Sequence, residues 1–180
     1  MESRASRLLQ KLNETRRALV TAESCTGGLI ASRLTRVAGA SSAYWGGMIV
    51  YDNTAKAGLA GVAPELIARH GAVSPEVARA LAEGALERAR SATSDGAFSG
   101  REWLAIATTG IAGPTGGSAE KPVGLCHIGL AWSRGTEVTV TSFELRLPPA
   151  LSREQLQEGF AETAFDKALA ALSGLPALSI

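Results

Sequence analysis

The sequence is poor in cysteine, histidine, aromatic residues and net charge, and each shortage excludes a class of protein. Two cysteines and two histidines among 180 residues do not make a disulfide framework, and none has the spacing of zinc ligands. A formal net charge of +1 and 5% aromatic residues offer nucleic acid neither a basic surface nor stacking platforms. No apolar run has the length of a membrane span, and the charged N-terminus is unlike a signal peptide. We therefore expect a cytoplasmic protein with no metal, membrane or nucleic-acid partner.

Aliphatic residues and glycine, in contrast, are plentiful, since 46% of the residues are hydrophobic and 20 are glycines. This is enough apolar surface for one domain with a substantial core. Five segments have the composition of strands: 18–21, 44–51, 103–108, 123–132 and 136–147. Four other segments have the apolar spacing of helices: 4–17, 29–37, 74–90 and the segment after 152. The pattern predicts an α/β fold, a single three-layer αβα domain over 1–180 whose mixed parallel and antiparallel sheet is flanked by helices.

The most informative segment is Thr21-Ala22-Glu23-Ser24-Cys25-Thr26-Gly27-Gly28, which joins a predicted strand to a predicted helix. A strand, a turn of small residues and a helix bring backbone N–H groups and the positive end of the helix dipole to one point. Ser24 would present its hydroxyl there, either as a nucleophile beside an oxyanion hole or in an anion site. The structural alternative is that serine and threonine cap the helix and the glycines give the turn its backbone freedom.

A base for Ser24 is offered by the segment Tyr51-Asp52-Asn53-Thr54-Ala55-Lys56. Because functional groups collect at the carboxyl ends of parallel strands, Tyr51 and Lys56 could both reach the serine. A lysine among apolar atoms loses its proton more easily, so Lys56 could act as the base while Tyr51 relays a proton or orients the amine. Taken singly, a solvated helix lysine and a half-buried strand tyrosine are the simpler interpretations.

The third segment is the glycine-rich run at 108–117, which leaves the end of a strand as the Ser24 turn does. Its glycines let a ligand approach the backbone, and its N–H groups could form a nest for phosphate or carboxylate. It lacks both the Gly-Lys-Ser/Thr of a nucleotidase loop and the spacing of a dinucleotide fold. A rival nucleophile, Cys25 with His70 or His127 as its base, is weaker because nothing in the sequence brings either histidine near.

Together these segments resemble the CinA C-terminal domain family, the nicotinamide-nucleotide amidases. The matching motifs follow one another in order: 21–28, 51–56, His70-Gly71-Ala72-Val73-Ser74, Thr109-Gly110-Ile111-Ala112-Gly113-Pro114 and Lys121-Pro122-Val123-Gly124. The resemblance covers about residues 5–147. In this family the domain also occurs behind a molybdopterin-binding-like domain. We expect the stand-alone form here, because 180 residues leave no room for a second domain.

The resemblance implies hydrolysis of nicotinamide mononucleotide to nicotinate mononucleotide and ammonia, in pyridine-nucleotide salvage, without a metal or other cofactor. The family's catalytic serine, lysine and tyrosine fall on Ser24, Lys56 and Tyr51. Ser24 would attack the carboxamide carbon, and backbone N–H groups near Gly27 and Gly28, or near Gly110, would hold the oxyanion. Substrate-binding groups are expected around the serine and in the glycine-rich loop: Glu23, Thr26, Gly27, Gly28, Thr109, Gly110 and Gly113.

The last predicted helix departs from the family pattern. Family members carry arginines early in this helix, whereas residues 160–165 contain Glu162 and no arginine, and Arg153 lies earlier. One alternative is therefore a binding or regulatory module that kept the fold and lost efficient turnover. A factor for DNA uptake or repair, which the family's competence-related name suggests, is disfavoured by the small net charge. The apolar helix faces and small-residue strands suit a homo-oligomer.

Overall fold

The computed structural model describes residues 2–93 and 96–174. Within these residues the elements are α1 (Arg4–Glu14), β1 (Arg17–Glu23), α2 (Leu29–Thr35), a 3-10 turn (Ala40–Ser42), β2 (Tyr44–Ile49), α3 (Asn53–Ala60), α4 (Pro64–His70), α5 (Pro75–Ser91), β3 (Glu102–Gly110), β4 (Leu125–Arg134), β5 (Glu137–Arg146) and α6 (Arg153–Ser173). The predicted domain of 1–180 also takes in residues 1, 94–95 and 175–180, which lie outside the described residues.

The five strands form one mixed sheet in the order β2-β1-β3-β4-β5. β1 runs parallel to both β2 and β3, whereas β4 is antiparallel to β3 and to β5. At the end of β1, Glu23 is paired with Ile49 on one side and with Thr108 on the other. The chain segments that follow the three parallel strands therefore start from the same edge of the sheet, where ligand sites collect in α/β folds.

Helices cover both faces of this sheet and give three layers. Successive residues of β1 point to opposite faces, so Leu19 packs with α1, α2 and α6 while Val20 packs with α5 and the start of the α3–α4 connection. The predicted αβα architecture with a mixed sheet is confirmed. Two predicted helix starts also hold: the Ser74 hydroxyl accepts from the N–H of Val77 at 3.3 Å, and Ser152 with Gln155 forms a capping box.

Two element boundaries differ from the predicted ones. Helix α1 stops at Glu14 instead of 17 because Arg16 has a left-handed backbone with φ of 53°, which no helix continues. The chain then enters β1 at once, and its first residue, Arg17, forms a buried ion pair of 2.7 Å with Glu102 at the start of β3. β2 ends at Ile49, so Tyr51 lies beyond the strand in the connection to α3.

Candidate functional site

A cavity of about 270 Å³ opens where the parallel strands end. Ser24 follows β1, Tyr51 and Lys56 belong to the connection and helix after β2, and Thr109 and Gly110 close β3; all five line this cavity. Residues 85 positions apart in the sequence thus meet because β1, β2 and β3 are parallel neighbours. The structure brings the three predicted catalytic residues to one site.

Ser24 lies in a turn whose backbone is held on both sides. Its N–H donates to the carbonyl of Thr108 at 3.1 Å, and its own carbonyl accepts from the N–H of Gly27 at 3.1 Å. The carbonyl of Cys25, next in the chain, accepts from Nε2 of Gln157 on α6 at 2.9 Å. Only 7% of Ser24 is exposed, and these backbone bonds hold the turn that carries it beside the cavity.

Lys56 is almost entirely buried, with 2% of its surface exposed. Its Nζ donates to the carbonyl of Tyr51 at 3.0 Å and approaches Oδ1 of Asn53 at 3.5 Å. Burial lowers the pKa of the Lys56 amine, while the negative charges of Asp52 and a Cys25 thiolate oppose this and raise it, with a net lowering. The amine is therefore closer to its neutral, proton-accepting form than a lysine in water.

Tyr51 reaches the site in a different way from the one expected. Its side chain is 58% exposed, and its hydroxyl accepts a hydrogen bond of 2.8 Å from Nη2 of Arg153. It is the backbone carbonyl of Tyr51 that holds Lys56. The tyrosine thus orients the lysine through its main chain, and its phenol is tied to an arginine.

Arg153 is the functional candidate that the sequence argument passed over. It is the first residue of α6 and lines the cavity, where its Nη1 donates to the carbonyl of Gly113 at 2.7 Å. The sequence contained an indication of this position, because the capping box at Ser152 fixes where α6 begins. Arg153, the next residue, is therefore placed at the start of the helix. The family's arginines were sought later in this helix, at 160–165.

Glu23 has a structural task at the start of α2. Its carboxylate accepts from the hydroxyl of Thr26 at 2.8 Å and from the N–H groups of Gly28, Ile30 and Ala31 at 3.1, 3.0 and 2.8 Å. The Glu23 carboxylate thus accepts hydrogen bonds from the first amides of this helix, and its negative charge interacts favourably with the positive end of the helix dipole. The expected anion-binding point at this helix end is filled by Glu23.

We expect Glu23→Gln to lower the free energy of unfolding by about 2–3 kcal/mol, because a carboxylate that accepts several buried hydrogen bonds is replaced by an amide whose NH₂ faces N–H donors. Urea unfolding of both proteins measures the difference. Glu87→Gln, at an exposed position of α5, is the matched control and should change the midpoint little. Equal stability of Glu23→Gln and the parent protein would contradict the capping role.

The structure divides the predicted substrate-binding residues into two groups. One lines the cavity: Thr109, Gly110 and Gly113. The other lies around the start of α2, outside that lining: Glu23, Thr26, Gly27 and Gly28. Because the N–H groups of Gly27 and Gly28 already donate to Ser24 and Glu23, the turn does not leave them free for an oxyanion. Contact of either group with substrate stays a prediction.

Packing accounts for two of the glycines in the loop after β3. A Cβ at Gly110 would lie 2.6 Å from the carbonyl oxygen of Leu125. Gly113 has φ of +64°, and a Cβ there would lie 2.6 Å from Cγ1 of Val123. Thr109 is also held, since its hydroxyl donates to the carbonyl of Ala72 at 2.7 Å. The loop is therefore a fixed wall of the cavity.

The rival nucleophile, Cys25, is not joined at the cavity by either of the histidines considered as its base. Neither His70 nor His127 lines the cavity that Cys25 shares with Ser24. His70 faces Glu76 at 3.6 Å, and burial lowers the pKa of His127. Among residues 2–93 and 96–174, no three histidine, cysteine, aspartate or glutamate side chains are placed to hold a metal ion, and no helix there has the length and apolar character needed to cross a membrane.

A larger groove of about 1000 Å³ lies between β2 and helices α3 to α5. Its apolar wall includes Trp45 and Leu59, and its charged residues are Glu83, Glu87 and Arg88 on α5. Among the described residues that line it there is no lysine or histidine, so it lacks the candidate nucleophile and base that line the smaller cavity. The smaller cavity is the candidate active site.

Comparison with known proteins agrees with the motif analysis. The CinA C-terminal domain profile matches residues 1–172. A CinA-like protein of Trichormus variabilis is 43% identical over 165 residues, which is 92% of this chain and 36% of that protein. A CinA-like protein of Chlorobium phaeovibrioides is 49% identical over 124 residues, 69% of this chain and 26% of that protein. The chain thus spans between about a quarter and somewhat over a third of these curated relatives.

Solved structures share the fold. The competence/damage inducible protein CihA of Agrobacterium tumefaciens is 39% identical, with a TM-score of 0.79 over 94% of this chain and 93% of that one. A CinA superfamily protein of Klebsiella pneumoniae is 26% identical, with a TM-score of 0.78 over 96% and 97% of the two chains. The domain match over nearly the whole sequence confirms the resemblance drawn from the motifs. The chain belongs to the CinA C-terminal domain family.

Proposed function

We propose that this chain hydrolyses the carboxamide of nicotinamide mononucleotide and releases nicotinate mononucleotide and ammonia. The observation that carries the proposal is that a buried lysine and a buried serine line one small cavity. A lysine with a lowered pKa can take the proton of a serine hydroxyl, so the reaction needs no histidine. A cavity of about 270 Å³ is of the order expected for a small-molecule site.

The reaction follows from these two groups. Oγ of Ser24 attacks the carboxamide carbon while Nζ of Lys56 takes the hydroxyl proton. The protonated amine gives this proton to the amide nitrogen, the C–N bond breaks, and ammonia leaves an acyl-enzyme ester. A water molecule then attacks the ester carbonyl and gives a proton to Nζ of Lys56. The bond between the acyl carbon and Oγ breaks, Lys56 returns the proton to Oγ of Ser24, and the carboxylic acid leaves.

The N–H of Cys25 is the best-placed donor for the oxyanion. It follows the nucleophile directly in the chain, and no hydrogen bond between described residues uses it. Nucleophiles in strand–turn–helix motifs use the amide of the next residue in this way. A preorganised donor of this kind contributes about 3–4 kcal/mol to the stabilisation of the transition state.

The charges of the cavity favour an anionic substrate. Its wall holds the cations Lys56 and Arg153, and within 2–93 and 96–174 no aspartate or glutamate lines it. The guanidinium of Arg153 already donates to two neutral acceptors, the Tyr51 hydroxyl and the Gly113 carbonyl, and a phosphate would be a stronger acceptor. This supports Arg153 as the group that binds the 5′-phosphate of the mononucleotide.

Arg153→Ala should lower kcat/KM for nicotinamide mononucleotide about 10- to 100-fold, chiefly through KM, because a charge-assisted contact to phosphate is lost. The value for nicotinamide riboside, which has no phosphate, should change little. Steady-state kinetics with both substrates measure the ratio, and Arg146→Ala, at an exposed position of β5, is the control. An equal fall for both substrates would show that Arg153 only supports Tyr51 and the loop.

The proposed function is tested by incubating chelator-treated protein with nicotinamide mononucleotide and measuring ammonia. Release by the purified chain supports the amidase, and the product should be nicotinate mononucleotide. A folded protein that binds the mononucleotide without releasing ammonia would overturn the proposal and favour a regulatory module. Salt-dependent binding to DNA without hydrolysis would instead favour the competence-related alternative.

A further inference from the structure

Two thiols meet beside the proposed nucleophile. Cys25 directly follows Ser24, Cys126 lies near the start of β4, and their Sγ atoms are 3.7 Å apart although 101 residues separate them in the sequence. Both are buried and both are free thiols. The proposed hydrolysis uses neither sulfur atom, so the contact has no role in the mechanism above.

We propose that Cys25 and Cys126 are a redox-sensitive modification site, which a peroxide converts to a reversible disulfide that slows the reaction at Ser24. The sulfur of Cys25 attacks one oxygen of hydrogen peroxide, the O–O bond breaks, and a sulfenic acid and water result. The sulfur of Cys126 then attacks the sulfur of Cys25, the S–O bond breaks, and the departing hydroxide takes the proton of Cys126. Two thiols and one hydrogen peroxide thus give one disulfide and two waters.

The surroundings of the two cysteines set the order of these steps. Cys25 lines the cavity, so a molecule as small as hydrogen peroxide can reach its sulfur. Cys126 is completely enclosed, and burial raises the pKa of its thiol. Cys25 keeps 4% of its surface exposed, whereas Cys126 has none. Cys25 is therefore the thiol that reacts with peroxide, and Cys126 is the one that completes the disulfide.

Formation of the disulfide would displace the catalytic turn. The Sγ–Sγ distance must shorten from 3.7 Å to about 2.05 Å, and Cys126 belongs to a strand paired on both sides. The movement therefore falls mostly on the turn that carries Cys25 and Ser24. A misplacement of about 1 Å at a reacting group can cost about 100-fold in rate. This slowing rests on the proposed function, whereas formation of the disulfide does not.

The experiment treats the full chain, first reduced and then freed of reductant, with hydrogen peroxide. Intact mass under denaturing, non-reducing conditions should fall by about 2 Da, because two thiol hydrogens are lost. Peptide mapping should find the peptides of Cys25 and Cys126 joined. Ammonia release from nicotinamide mononucleotide should fall at least tenfold and return when dithiothreitol is added.

Cys126→Ala is the matched control, because it leaves Ser24, Lys56 and Cys25 in place and removes only the second thiol. Without peroxide this variant should keep the basal rate. After peroxide it should show no loss of 2 Da, and its Cys25 should be oxidised to a sulfinic acid that dithiothreitol does not reverse. Two free thiols in the peroxide-treated parent protein, or a disulfide with unchanged ammonia release, would overturn the proposal. A reduced protein without amidase activity would refute the proposed function, and the mass and peptide data would still decide on the disulfide.

Discussion

Ser24→Ala is expected to lower kcat for nicotinamide mononucleotide hydrolysis by about 10⁴-fold or more, because the acyl-enzyme route disappears when the nucleophilic oxygen is removed. Binding of the mononucleotide should change little, since the cations of the cavity, Lys56 and Arg153, stay in place. Ammonia release gives the rate, and titration of the variant with substrate gives Kd.

The second readout of this prediction is the covalent intermediate. Acid quenching of the parent enzyme during turnover should trap a nicotinoyl nucleotide on the peptide that contains Ser24, and the variant should trap none. Ser32→Ala, which removes a hydroxyl on α2 away from the cavity lining, is the matched control and should keep both signals. A Ser24→Ala protein that keeps more than about a tenth of the rate would exclude Ser24 as the nucleophile.

The sequence is sufficient to predict the architecture and the meeting of two candidate catalytic groups at one cavity. Strand periodicity, the capping signals at Ser74 and Ser152 and the turn after β1 are local patterns, and each predicts its element without knowledge of the rest of the chain. Parallel strands then bring Ser24 and Lys56 to the same edge by a general rule of α/β folds. For this reason both residues could be proposed before their contacts were known.

The parts that the sequence did not predict depend on contacts between distant residues. The bond from Arg153 to Tyr51 joins positions 102 residues apart, and the contact between the two cysteines joins positions 101 apart. No periodicity or motif spacing encodes such pairs. The role of Glu23 was missed for a different reason. A carboxylate at the end of a strand fits substrate binding as well as helix capping until its four partners are known.

Lys56→Met should lower kcat/KM by about 10²- to 10⁴-fold, the usual contribution of a general base, and should also abolish the pH dependence. In the parent enzyme kcat/KM should rise with pH as Lys56 loses its proton and then level off. Because burial lowers the pKa of this amine, the midpoint should lie below the value of about 10.4 for a lysine in water.

Lys56→Arg provides a sharper version of the same test, since it keeps a positive charge for the substrate phosphate but cannot become a neutral base in the accessible pH range. It should therefore bind the mononucleotide nearly as well as the parent enzyme and hydrolyse it as slowly as Lys56→Met. Lys11→Met, on the exposed side of α1, should behave like the parent enzyme. If kcat/KM still rose with pH in both Lys56 variants, the general base would have to be another group. The buried Lys56 would then serve only to bind the substrate anion.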